Sequence, residues 1–562
     1  MKKILFHSNG AKAFTGFGKN AKNILRYLHK KGKYEIIEFA NGTQWGDPSL
    51  QLRPWKAQGS LPNDPAILQG LNQNQQKARE AGYGGFCIDQ AIKEYKPDIY
   101  LGVEDIWAFG GYWNKPWWDK INNMIWTTLD SQPILPQAVE AAPKTKNFYC
   151  WSSFAERDLK EMGHDHVGTL HGSVDTEDFY RLGDLDRKKL RKRFDLEDEF
   201  IIGFVFRNQL RKSVPNLLEG FKIFKKDCPK AKLLLHTHWS EGWDIPRLIK
   251  EKGLDNDDIL TTYYCSACSQ YEVRPFTGQE QNCRFCGTEK SLNTTNVKAG
   301  VNEEQLNEIY NLMDVYCHPF TSGGMEIPIF EAKMTELITL VTNYSCGEDS
   351  STLESGSFPL DWSEYREPGT QFIKASTYPS SIAKQLKKVL QMDANKRREM
   401  GKRGRQWTIE NYSTVAVGKK LEAILDEMPE IDYDFDWDKE EKKGLNLEDM
   451  LDDGERIAVV MPESAGDILW LNSLMKSLKE LYPTHDIYVF TKPQFFDYIE
   501  DNPAVHKVLP YSPEIDNSHF LEGKGDHEGF FNMAFLPHYG TQRFQNYHHN
   551  GTDKTQFELY EN

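Results

Sequence analysis

What the chain lacks narrows its class before any motif is considered. No apolar run approaches the roughly 20 residues a membrane-crossing helix needs, so no transmembrane segment is expected. A basic surplus is also missing, since the formal net charge is −15. Proteins that draw affinity from phosphate neutralisation usually show the opposite balance, which argues against nucleic acid as the main partner. The opening Met1-Lys2-Lys3-Ile4-Leu5-Phe6-His7 turns polar too soon for a signal peptide and reads as a first strand, so a cytoplasmic location is expected by default. A disulfide framework is absent as well. Five of the nine cysteines (Cys87, Cys150, Cys228, Cys317, Cys346) are scattered like reduced core thiols.

What is present is an ordinary globular composition, 39% hydrophobic and 12% aromatic, in a chain of 562 residues that is too long for one core. Short apolar strands alternate with helical patterns, which predicts α/β architecture with parallel, doubly wound sheets. The strand at 4–7 leads through Thr15-Gly16-Phe17-Gly18, read as a glycine loop, into a helix, and further strands fall at 99–103, 124–127 and 147–150. A second such unit opens with the wholly apolar 200–206. It continues through helix 215–226, strand 232–236, helix 303–312 and strand 315–317, and closes with helices at 380–391 and 394–424. The expected organisation is a Rossmann-like domain at 1–190, a second at 191–428 with an insertion at 263–290, an acidic linker at 429–455, and a Rossmann-like half domain at 456–562. The basic runs at 187–193 and 396–398 alternate with apolar positions and read as solvated helix faces.

Two segments could carry chemistry. Arg207-Asn208-Gln209-Leu210-Arg211-Lys212 follows a buried strand, at the edge where open α/β sheets bind ligands, and fixed cations there suit a diphosphate leaving group. Thr321-Ser322-Gly323-Gly324-Met325-Glu326-Ile327-Pro328-Ile329-Phe330-Glu331 offers paired glycines ahead of a helix start, where backbone N–H groups approach a phosphate. Glu331, one turn into that helix, is placed to accept hydrogen bonds from a ribose diol.

These residues resemble the retaining GT-B glycosyltransferases of family 4 over roughly 1–426. Arg207 and Lys212 have the spacing of the family's diphosphate-binding pair, and Glu331 matches the second Glu of its E-x7-E motif. The first Glu falls on Gly323, and Glu326 stands where glycine is usual, so Glu326 is a candidate to serve in its place. His171-Gly172-Ser173-Val174-Asp175, Trp151-Ser152-Ser153-Phe154 and Asn411-Tyr412-Ser413 match further family segments in the family's order. The resemblance implies that Gly16 and Gly18 lie on the acceptor side near the donor phosphate. It offers no equivalent of the family's active-site His; Asp130 occupies that region and is the catalytic candidate there, with Glu104 and Asp105 behind it. It implies transfer of a sugar from a nucleoside-diphosphate-sugar co-substrate, without catalytic metal, to a hydroxyl of a glycan or glycoconjugate. Two alternatives stand beside it: a phage-type enzyme acting on hydroxymethylated DNA bases, and a non-catalytic nucleotide-sugar-binding protein.

The remaining four cysteines form two Cys-x-x-Cys pairs, Cys265 with Cys268 and Cys283 with Cys286, fourteen residues apart. That is zinc-ribbon spacing, and four thiolates close a structural zinc site. His236 and His238 read as structural or ligand-facing instead. Ala465-Gly466-Asp467-Ile468-Leu469-Trp470 and Asn502-Pro503-Ala504-Val505 resemble the N-terminal half of heptosyltransferase-like proteins of family 9. With that family's donor half missing, a docking or binding role is expected for this segment.

Overall fold

The computed structural model describes residues 1–13, 15–71, 74–296, 299–434, 447–512, 515–516, 518–523 and 529–538. Residues 435–446 of the expected linker and 539–562 at the end of the last segment lie outside the described residues. The chain forms two compact units, Met1–Phe435 and Asp436–Asn562.

The first unit is built on two sheets. One has seven parallel strands in the order Lys56–Leu61, Glu35–Gln44, Lys3–Asn9, Ile99–Val103, Asn122–Thr127, Asn147–Cys150 and Gly168–Thr169. The other repeats this plan with Ile259–Cys265, Ala231–His236, Phe200–Val205, Val315–His318, Thr339–Thr342 and Ser357–Leu360, again parallel. In each, the first strand is central and the order reverses beside it, so a crevice opens at the carboxyl ends there. The central strand Phe200–Val205, buried on both faces, is wholly apolar, with all six residues buried.

The cysteine insertion extends the second sheet. Tyr271–Pro275 and Leu292–Thr294 pair antiparallel with Ile259–Cys265, and Glu280–Gln281 adds beyond them. A hairpin of Trp362–Arg366 and Ile373–Thr377 stands apart from both sheets.

Two expectations are corrected. Gly16 and Gly18 do not lie in a loop. They form the first turn of helix Gly16–Lys31, whose cap is Thr15, its hydroxyl accepting from Gly18 N. The single helix expected at 394–424 is two, Ala394–Tyr412 and Thr414–Glu427, because Ser413 leaves helical geometry and caps the second. The break lets the chain cross between the sheets. Val174 N donates to Tyr412 O (2.9 Å) and Thr414 N to Val174 O (3.2 Å), while Val417, Leu421 and Leu425 join the core of the first sheet.

The second unit carries a four-stranded parallel sheet ordered Lys507–Pro510, Asp486–Thr491, Arg456–Val460, Met533–Phe535. Asp467 caps helix Ala465–Leu481 reciprocally with Ser464. Among the described residues no helix is long and apolar enough to cross a membrane.

Candidate functional site

The carboxyl edges of the two large sheets meet across a cleft. From the second sheet come Arg211 and Lys212, on the turn after strand Phe200–Val205, and the glycine loop after strand Val315–His318. Both cations converge on Glu326. Its carboxylate accepts from Arg211 Nη1 and Lys212 Nζ, and from His318 Nε2 at 3.0 Å. The side chains of Glu326 and Lys212 are only 3% and 4% exposed. Burial would raise the Glu326 pKa, but the neighbouring Arg211, Lys212 and His318 hold it well below the usual carboxylate range. Burial pushes the Lys212 ammonium down to about 8, against the pull of Glu326. His318 is pushed down to about 4, chiefly by burial. It is therefore neutral, with its Nε2–H on Glu326 and Nδ1 facing the Tyr316 hydroxyl at 2.9 Å.

Geometry explains both glycines of the loop. A Cβ on Gly323 would lie 2.6 Å from Glu326 Oε1 and 3.2 Å from Arg211 Nη1, and one on Gly324 would strike Thr128 Cβ at 2.3 Å and Asp130 Oδ1 at 2.9 Å. The Glu326 carboxylate thus fills the space that a side chain at 323 would enter. Gly18 is required in the same way, since its Cβ would meet Ala13 O at 2.3 Å. Gly16 lies against Ile327, where a Cβ would make an ordinary 3.6 Å contact.

The first sheet contributes acids. Glu104 and Asp105 follow strand Ile99–Val103, and Asp130 follows strand Asn122–Thr127. Burial, helped by Asp105, raises Asp130 to about 6, although Arg211 and Lys374 pull the other way. Burial raises Glu104 to about 7, against hydrogen bonds from Asn41 and Asn9. Asp105 is raised too, chiefly by burial, and accepts from the Thr128 hydroxyl.

Glu331 is buried. It accepts from the Tyr310 hydroxyl at 2.8 Å and pairs with Lys19 Nζ of the first helix at 3.1 Å, so it also joins the two halves. Lys19, Ser173, Val174, Ile327 and Glu331 line a small cavity of about 40 Å³. Arg207 stands elsewhere: its side chain is 58% exposed and pairs with Glu241 at 3.4 Å. The motif pair is therefore not brought onto one acceptor; Arg211, beside Lys212, takes that place. Sequence reasoning also missed His318 and Lys374. His318 was signalled by a His-Pro step ending a buried strand, whereas Lys374 had no local signal, because it comes from the separate hairpin.

The four paired cysteines cluster, with all Sγ atoms within 4.8 Å of one another. Cys265 and Cys286 Sγ lie 3.8 Å apart, and Cys268 and Cys283 Sγ 3.7 Å. A tetrahedral ion with bonds of about 2.3 Å to sulfur has edges of about 3.8 Å, so the set fits zinc.

No family model matches the sequence, and no curated protein does. Solved structures do. The protein is similar to sucrose-phosphate synthase from Thermosynechococcus elongatus, with a TM-score of 0.52 at 14% identity over 76% of this chain and 99% of that one. A glycosyltransferase from Rickettsia africae gives 0.51 at 15% identity over 76% and 98%. HepE of Anabaena in complex with UDP and glucose gives 0.51 at 12% identity over 76% and 100%. The fold is GT-B, two Rossmann-like halves about a cleft.

Proposed function

We propose that the protein is a glycosyltransferase that moves a sugar from a nucleoside-diphosphate donor to a hydroxyl acceptor, with retention at the anomeric carbon and without a catalytic metal. The observation that carries this reading is the convergence of Arg211 and Lys212 on the Gly323-Gly324 loop, at the crevice of the second sheet. As the bond between the sugar C1 and the diphosphate oxygen breaks, the oxygen keeps the electron pair, and fixed cations stabilise that charge without reorganising. The acceptor oxygen attacks C1 on the face the diphosphate leaves, and its proton passes to the departing phosphate oxygen. Positioning carries most of the remaining demand.

In this reading Asp130, facing Gly324 from the acceptor half, orients the acceptor hydroxyl. Glu326 acts as a positioning residue, because two cations and a histidine already occupy its carboxylate. Glu331 receives the donor ribose once Lys19 releases it, and Gly16 and Gly18 let the first helix start close to the loop. Arg207 becomes a peripheral contact. A glycan or glycoconjugate is the proposed acceptor. The cysteine cluster holds a structural zinc, whose chemistry is confined to cross-linking the insertion.

The test is to mix the purified protein with UDP-, GDP- and ADP-sugars, follow release of the nucleoside diphosphate, and assign the product anomer by NMR. Release with retention is expected for one donor. Binding of a nucleotide sugar with neither hydrolysis nor transfer to any glycan acceptor would favour a non-catalytic binder, and an inverted product would remove the retaining assignment.

A further inference from the structure

We infer that Lys374 is a third cation of the donor site, contacting the diphosphate together with Arg211 and Lys212; the inference rests on the glycosyl-transfer reading above.

Lys374 sits where two loops from opposite halves come together. On one side, Ile373 N donates to Gln132 O at 2.7 Å, in the loop that carries Asp130. On the other, Ala375 N donates to Thr321 O at 2.9 Å, at the start of the glycine loop. The residue between them sends its ammonium to Ser131 Oγ at 2.8 Å and Ser322 Oγ at 2.7 Å. Backbone bonds on both sides fix the residue's backbone, and the two serine hydroxyls hold its ammonium beside the glycine loop.

Its partners are unlike those of the other cleft cations. Arg211 and Lys212 share the Glu326 carboxylate, Lys19 has Glu331, and Arg207 has Glu241. Among the described residues, Lys374 makes no ion pair; its ammonium rests on two neutral hydroxyls and lies 5.3 Å from the centroid of the Phe372 ring. A half-buried ammonium held this way has no carboxylate in direct contact, so an arriving anion finds it unpaired by any other ion. Burial lowers its pKa, with Glu367 and Asp130 opposing from further away and Arg211 adding to the effect. Three cations against the carboxylates of Glu326 and Asp130 still leave a positive surplus beside the glycines, and a nucleoside diphosphate sugar supplies the opposite charge.

The alternative role is a clasp that merely ties the halves together, and calorimetry on the full chain separates the two. UDP, GDP, ADP and inorganic pyrophosphate are titrated into the wild type, with uridine, guanosine and adenosine as controls lacking phosphate. Lys374→Gln keeps a hydrogen-bonding end, one bond shorter, and removes the charge. It is expected to weaken the preferred nucleoside diphosphate and pyrophosphate by about tenfold or more, the scale of one charge-assisted contact, and to leave the nucleoside unchanged. Lys374→Arg should recover most of that affinity. Ser131→Ala loosens the tie between halves but keeps the ammonium, and should bind almost as the wild type does. If Lys374→Gln binds a nucleotide as tightly as the wild type, or if Ser131→Ala loses as much, this assignment falls while the transfer reading stands. A wild-type protein that binds none of the nucleotides overturns both.

Discussion

The two sheets of the first unit share one strand order, yet their carboxyl edges carry opposite charge. The first sheet ends in Glu104, Asp105 and Asp130, and burial pushes all three toward the neutral form. The second ends in Arg211 and Lys212, whose charge is fixed by an ionised Glu326. Strand order places a crevice at each edge, but the loops decide what each crevice can do. On one side Glu104 and Asp130, raised to about 7 and about 6, can exchange a proton near neutral pH; on the other the cations are preorganised for an anion. Juxtaposed, the edges suit a reaction in which a hydroxyl loses its proton while a phosphate oxygen gains charge.

The comparison can be broken most severely on the cationic side. Lys212→Ala is expected to lower kcat/KM by about 10²–10³-fold, the usual scale for removing one preorganised stabilising group. It should also cost about 3 kcal/mol in a urea titration, because a buried carboxylate loses a partner, although Arg211 and His318 remain. An unchanged rate would remove this edge from the chemistry. Next in size is the metal. Purified protein should carry one zinc per chain by atomic absorption, and Cys268→Ser should lose it and melt several degrees lower, since binding free energy at such sites is folding free energy. Metal-free wild type with the same melting point would refute the ribbon.

The acidic side is probed by pH. Asp130 titrates near 6, above its ordinary value, so its contribution to stability is complete below about pH 4 and is lost as pH rises through 6. Asp130→Asn should therefore melt higher than the wild type at pH 7–8 and no differently at pH 4. If the ionised carboxylate orients the acceptor, the variant should also lose the acid limb of the rate profile centred near pH 6. The smallest effect is expected at Arg207→Ala. That side chain is largely exposed and paired to Glu241, so turnover should fall less than about tenfold; a loss as large as that of Lys212→Ala would restore the spaced pair as the phosphate clamp.

Period and order made the architecture legible. The apolar run 200–206 reads as a buried strand, and helix 303–312 is expected where helix Glu303–Leu312 lies. The Cys-x-x-Cys pairs announced a cluster, and their four Sγ atoms all lie within 4.8 Å of one another. The break at Ser413 was not legible, because every residue from 394 to 424 tolerates a helix and only the need to cross between sheets interrupts it. At the site, the glycine pair and Lys212 were readable from local pattern. Within the candidate segment spacing favoured Arg207 over Arg211, and exposure, which sequence does not display, separates the two. Lys374 was beyond reach for a different reason: it joins the cleft through pairing with residue 132, more than two hundred positions earlier, and no local period encodes that contact.

The crossing at Ser413 has a mechanical consequence. The chain passes between the halves twice, near Val174 and again at Ser413, and the two passages are hydrogen-bonded side by side as a parallel bridge. A single tether would let two bodies twist freely about it. A bonded pair of tethers resists torsion and leaves bending about one transverse axis as the soft motion. Opening of the cleft then separates the edges like the covers of a book, and each closure returns Asp130 and Gly324 to the same registration.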